Sequence, residues 1–272
     1  MVHELAFAKL NLLLHVGPPR PDGRHPLCSI FASIDLADDV EVGVADARSD
    51  VVVCPGVQGP NLAAVAVAAF RSRVPSLPAL SVRIDKRIPV AAGLGGGSAD
   101  AAAVLRAANQ IAGLPLAIAA LRELAAGIGS DVPSQIDPHH ALVEGVGDVS
   151  EAVELPPYGV LLVPQHQGLS TAEVYAELDR MGGWRDRLDP GPLRDFVRSP
   201  DPGALENDLQ PAAVALRPQI VRGLDSLRSA GALGALVSGS GPTCFGLFAD
   251  RAAAQRASRH VDGAIVTELR PP

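Results

Sequence analysis

Four glycines fall within Gly93-Leu94-Gly95-Gly96-Gly97, and Ser98 and an alanine-rich run follow them. Glycine lacks a Cβ, so such a segment lets a ligand approach the main chain closely and adopts positive φ at little cost. The first N–H groups of a helix have no partners inside it, and that end of the helix dipole is positive. A glycine-rich segment running into a helix is therefore suited to polyphosphate. Ser98 either caps the helix or turns its hydroxyl towards a metal-bound phosphate. The plainer alternative is a tight turn whose glycines serve shape alone. The P-loop pattern GxxxxGK[ST] is absent, because no lysine follows the glycines. The dinucleotide pattern GxGxxG fits only without its last glycine, and no acidic residue ends a strand about 20 residues on.

Of 23 basic side chains only Lys9 and Lys86 are lysines. Coding bias towards arginine explains most of this skew. A compact ammonium and a guanidinium fork are nonetheless not interchangeable, so both lysines are candidates for chemistry.

The elements that must position these residues can be read from periodicity and breakers. Residues 4–16 alternate and then run apolar, as a strand, and 40–44 and 51–54 are short β-rich pieces. Residues 61–73 have helical composition behind Asn61 as a cap. LSVRID at 80–85 alternates as a strand; helices follow at 98–111 and 117–128. The Pro-rich span 154–164 separates two domains, 1–155 and 156–272. The second has strands at 159–163, 235–237, 244–248 and 264–268. Its helices fall at 171–180, 211–230 and from 251 onward. Residues 182–202, rich in Gly, Pro, Asp and Arg, read as a surface excursion. This mixture predicts an α+β fold rather than a doubly wound parallel sheet.

With 47% hydrophobic and 19% charged residues over 272 positions, the chain can bury a sizeable core. No apolar run approaches the roughly 18 residues that span a bilayer, and the start lacks the features of a signal peptide. Cys28, Cys54 and Cys244 suggest neither a disulfide framework nor a zinc site. A net charge of −7 argues against holding nucleic acid through a general field. The expectation is a cytoplasmic protein without nucleic-acid or membrane partners, in which local features hold any phosphate.

Several stretches resemble one family. The run from Pro89 through Val90, Ala91, Ala92 and the glycines to Ala102 (PVAAGLGGGSADAA) resembles the PxxxGLGSSAA-like ATP loop of the GHMP kinases. In family order, AKLNL at 8–12, DGRHPL at 22–27, DKRIP at 85–89, GSDVP at 129–133, EGVGD at 144–148 and SGSGPT at 238–243 each resemble a further stretch. Together they cover nearly the whole chain. The nearest likeness is to the branch that phosphorylates a cytidine diphosphate-linked methylerythritol, in non-mevalonate isoprenoid precursor synthesis. The resemblance implies a two-domain fold, S5-like then ferredoxin-like, with ATP and Mg2+ as cofactors and the alcohol meeting ATP between the domains.

Residue by residue, the resemblance implies that Asp131 accepts the hydroxyl proton and that Lys9 is its cationic partner. Pro89 to Ser98 hold the phosphates, Asn61 and Lys86 lie near ribose and base, and Ser98 is the one protein ligand to consider for the metal. Asn11 contacts the alcohol, Gly239 and Ser240 its phosphates, and His25 the cytosine edge. Arg24 and Leu205 stand where the family usually places stacking aromatics, and Ser134 where it has Phe. Two rivals share these features: a GHMP kinase for a sugar, mevalonate- or homoserine-like alcohol, and a nucleotide-binding protein without catalysis. His25 in DGRHPL speaks against the first, Lys9 and Asp131 against the second.

Overall fold

Two long strands open the chain, β1 (Val2–Val16) and β2 (Leu27–Val44), and both are shared by the two compact units of the protein. The computed structural model describes residues 1–57, 59, 61–165 and 167–271. One unit comprises Met1–Ala8, Leu36–Val90 and Gly95–Pro138; the other comprises Lys9–Asp35, Ala91–Leu94 and His139–Pro272.

The first unit adds β3 (Val51–Val53), α1 (Leu62–Arg73), β4 (Leu80–Asp85), α2 (Gly96–Ile111) and α3 (Ile118–Ala126). β4 pairs antiparallel with β2 from Asp39↔Asp85 to Val44↔Leu80, and β3 lies parallel beside it. Leu80, Val82 and Ile84 point into the core while Ser81, Arg83 and Asp85 face water, the alternation of a half-buried strand. Against that face pack α1, through Ala63, Ala66, Val67 and Phe70, and α2, whose alanines admit close approach. The Asn61 side chain accepts from the Ala63 amide at 2.8 Å, the expected cap. Val132 and Ile136 anchor the segment after α3 in the same core.

The second unit contains β5 (Ala141–Glu144), β6 (Val149–Ala152), β7 (Gly159–Val163), α4 (Thr171–Met181), α5 (Gly191–Arg198), β8 (Glu206–Asn207), α6 (Gln210–Leu216), α7 (Ile220–Ser229), β9 (Gly234–Val237), β10 (Cys244–Phe248), α8 (Arg251–Ala257) and β11 (Ile265–Glu268). An antiparallel sheet runs β11-β7-β10-β9. β8 joins β1 in parallel at Leu13↔Glu206 and Leu14↔Asn207. β5 pairs with β2 and β6. Leu161, Val174, Leu178, Ile220, Leu224, Leu227 and Phe248 lie at the centre of its core.

The sequence reading did not anticipate β5, β6 or β8, and three further elements differ from it. β2 begins at Leu27, and its residues 28–34 are all buried, so no alternation marks it. The helix expected over 211–230 is two, interrupted at Arg217 and Pro218, where proline disfavours helical backbone in the residue before it. Within 182–202, α5 buries Leu193 and Phe196. Among the described residues no helix is long and apolar enough to cross a membrane.

Candidate active site

In the second unit the first part of the glycine loop is held through its carbonyls. Ala92 O accepts from the Thr243 amide at 3.3 Å and Leu94 O from the Lys9 amide at 3.0 Å. Gly93 O accepts from Ser238 Oγ at 3.0 Å. Ala91 and Gly93 both have positive φ, 52° and 75°. A Cβ on Gly93 would collide with the Ser238 carbonyl, so only glycine lets the SGSGP turn sit on the loop.

That turn also meets β1. Gly239 has φ +55°, and a Cβ there would stand 3.1 Å from Asn11 Oδ1, 3.4 Å from Gly93 O and 3.5 Å from Lys9 Nζ. Lys9 Nζ donates to Asn11 Oδ1 at 2.6 Å, Asn11 Nδ2 to Ser29 Oγ at 2.8 Å, and Ser29 Oγ to Leu13 O at 2.6 Å. The ammonium also lies 4.6 Å from the centre of the Phe31 ring, a cation–π contact. Lys9 and Asn11 are both buried. Asn207, which the sequence reading did not single out, holds the turn: its Nδ2 donates to Val237 O and Gly239 O, each at 2.8 Å. Ser240 Oγ shares a hydrogen bond with Thr171 Oγ1 at 2.9 Å.

In the first unit Gly95 is the N-cap of α2 and makes no side-chain cap bond, so the expected alternative of Ser98 as the cap does not occur. Ser98 is instead the third helical residue. The amides of Gly96 and Gly97 open the helix, and the side chain beneath them is Lys86: a Cβ on Gly96 would stand 3.2 Å from its Nζ. Lys86 Nζ donates to Asp38 Oδ2 at 2.5 Å and Asp100 Oδ2 at 2.8 Å. Asp38 Oδ1 takes the amides of Arg87 and Ile88 at 2.5 and 2.8 Å. Burial opposes the charge on Lys86, but Asp100 and Asp38 outweigh it and raise its pKa. Burial pushes the Asp100 carboxyl up to about 7, with Lys86 offsetting only part of that rise. Among the described residues Asp100 Oδ1 is buried without a hydrogen-bond partner.

Asp131 is half-buried at the turn after α3, ahead of a 3-10 turn (Pro133–Gln135), and its carbonyl accepts from Ser134 Oγ at 2.9 Å. Pro89 is half-buried and Val90 is exposed. In the second unit His25 is buried, its Nδ1 2.8 Å from Gly17 O and its Nε2 3.4 Å from Asp179 Oδ1. Its ring lies 5.1 Å from that of Tyr175 on α4. Tyr175 was missed by the sequence reading, since a lone aromatic on a helix carries no local signal. The Arg24 side chain is exposed, and Leu205 packs at the backbone of Gly234.

Comparison with known proteins accounts for this arrangement. Residues 61–138 match the GHMP kinases N terminal domain and residues 195–265 the GHMP kinases C terminal domain. The chain is 43% identical to a 4-diphosphocytidyl-2-C-methyl-D-erythritol kinase of Anaeromyxobacter sp. (strain Fw109-5), covering 96% of this chain and 87% of that one. It is 39% identical to the kinase of the same name from Geobacter metallireducens, over 93% and 92% of the two chains. A crystal structure of 4-(cytidine 5'-diphospho)-2C-methyl-D-erythritol kinase superposes with a TM-score of 0.85 at 30% identity, covering 100% of both chains. The chain belongs to the GHMP kinases and, within them, to the 4-diphosphocytidyl-2-C-methyl-D-erythritol kinase family.

Proposed function

We propose that the chain transfers the γ-phosphoryl group of ATP to the 2-hydroxyl of 4-diphosphocytidyl-2-C-methyl-D-erythritol, in the cytoplasm, as a step of non-mevalonate isoprenoid precursor synthesis. The observation that carries this is the convergence of Lys9, Asn11, Gly93 and Gly239 in one unit. It joins three of the family's stretches at a buried ammonium, and the named relatives supply the substrate.

Phosphoryl transfer to an alcohol requires alignment, neutralisation of charge on the transferring group and a destination for the hydroxyl proton. Asp131 accepts that proton as the oxygen–phosphorus bond develops. Lys9 supplies positive charge to the transferring group, and Asn11 orients both Lys9 and the alcohol. The loop from Pro89 to Ser98 holds the polyphosphate through main-chain amides. Asn61 and Lys86 frame the nucleoside end, Lys86 from its place between Asp38 and Asp100. Among the described residues no group of three or more His, Cys, Asp or Glu side chains could hold an ion. Mg2+ would arrive with ATP, held largely by phosphate oxygens and water, with the Ser98 hydroxyl the candidate protein ligand, and would neutralise charge on the transferring group. Gly239 and Ser240 admit the diphosphate of the alcohol. His25 reads the cytosine edge, with Tyr175 and the plane of Arg24 offering stacking surfaces and Leu205 apolar contact.

The test is ADP release with the cytidyl substrate beside a panel of sugar, mevalonate- and homoserine-like alcohols. Turnover confined to the cytidyl substrate is expected; a preferred alcohol elsewhere in the panel sinks the assignment. Asp131→Asn is expected to remove all but a small residual turnover while ATP still binds, and an unchanged kcat removes Asp131 from its role.

A further inference from the structure

Every residue of α2 from 99 to 109 is buried except Arg106, which is half-buried. Its guanidinium ties α2 to two other segments of the first unit, β1 and the turn at Gln135. Nε donates to Glu4 Oε2 at 2.7 Å, Nη1 to Gln135 O at 2.7 Å and Nη2 to Leu5 O at 3.0 Å. Gln110, one turn on, holds the other oxygen of Glu4 at 2.6 Å. A planar fork with fixed donors sets direction as well as distance, as a flexible ammonium cannot.

Gln135 ends the 3-10 turn that begins two residues after Asp131. The turn is tied internally: the Gln135 amide donates to Val132 O at 3.1 Å and Ser134 Oγ to Asp131 O at 2.9 Å. Gln135 itself is 5% exposed, so its carbonyl has little recourse to water if the guanidinium is lost. At its other end α2 starts with the phosphate-loop glycines, about 15 Å from Arg106 along the helix axis. A buried helix is thus clamped to the Asp131 turn at one end and carries the phosphate loop at the other.

We infer that Arg106 is a positioning residue, fixing the Asp131 turn to the helix that bears the phosphate loop. The inference rests on Asp131 as the proton acceptor. Arg106 touches no substrate on this account and acts through Asp131. A displacement of about 1 Å in a reacting group is enough to cost about 100-fold in rate.

The test compares Arg106→Met and Arg106→Lys, each alone and combined with Asp131→Asn, by kcat, both KM values and thermal melting. Arg106→Met is expected to lower kcat by about 30- to 100-fold with both KM values within about threefold. Arg106→Lys, which keeps a donor and the fold, should recover part of that loss. On the residual turnover of Asp131→Asn, Arg106→Met should add less than about threefold, because both changes remove one function. The same fold-loss in both backgrounds, or an unchanged kcat in Arg106→Lys and Arg106→Met alike, overturns the positioning role and leaves the base assignment intact. Full turnover by Asp131→Asn alone overturns the base assignment. If Arg106→Met does not fold, the Arg106→Lys cycle decides in the same way.

Discussion

Lys9 donates its ammonium to the side-chain oxygen of Asn11, 2.6 Å away and two residues along the same strand. Residues i and i+2 of a strand share a face, so β1 itself sets the pair, and Ser29 fixes the amide by accepting from its nitrogen. Asn11→Ala removes this acceptor from Lys9 and the donor from Ser29. Stability should drop by about 1–3 kcal/mol, the cost of leaving buried polar groups unmatched. Turnover should fall at least about tenfold, since the ammonium is no longer aimed. Melting curves and ADP release check the two effects; wild-type turnover in a folded variant would remove Asn11 from the site.

Gly239 combines a left-handed backbone with a Cα that faces Asn11, Gly93 and Lys9. An alanine there costs about 1–2 kcal/mol in backbone strain. Its methyl group would also crowd the Asn11 oxygen at 3.1 Å. Gly239→Ala is expected to melt only a few degrees lower while losing most of its turnover. Activity retained in proportion to the folded fraction would show that the turn has no part in catalysis.

Asp38 and Asp100 share one ammonium in a buried site, which makes stability depend on pH in a defined sense. The Asp100 carboxyl is raised from 3.8 to about 7, so the folded protein holds this proton more tightly than the unfolded chain. Its contribution is complete below the ordinary carboxyl value and is lost as pH rises through about 7. Relative to Asp100→Asn, the wild-type melting temperature should therefore fall between about pH 5 and about pH 8. A wild-type-minus-variant difference that is flat or climbs over that window contradicts the raised carboxyl.

Tyr175 offers its ring beside His25. Stacking on a base is worth roughly 1–3 kcal/mol. Tyr175→Ala should therefore raise KM for the cytidyl substrate about tenfold, leave KM for ATP unchanged, and be rescued by Tyr175→Phe. Equal changes in both KM values would mean that Tyr175 serves the fold and not cytosine.

The glycine loop running into α2, the Asn61 cap and β4 were legible because each signal is local: glycines before a helix, an amide side chain before its first turn, strict alternation on a half-buried strand. β2 was only partly legible, since burial on both faces of residues 28–34 erases alternation. The break at Arg217 and Pro218 depended on one proline set against a run of good helix formers. α5 was hidden by composition, its Leu193 and Phe196 being the few apolar residues of a polar stretch.

The order of the glycine stretches and of the residues around Lys9, His25 and Asp131 was enough, by itself, to determine the family, because each stretch is contiguous in the chain and is read without any tertiary contact. Only the tertiary structure decided which side chains those motifs meet. It placed Lys86 between an aspartate 48 residues away and another 14 residues away. It also set Gly239 against Lys9, Tyr175 beside His25, and Arg106 across Glu4, Leu5 and Gln135. Such pairings depend on which faces bury together and how closely two backbones approach. Neither quantity is written in the spacing of residues along one strand or helix.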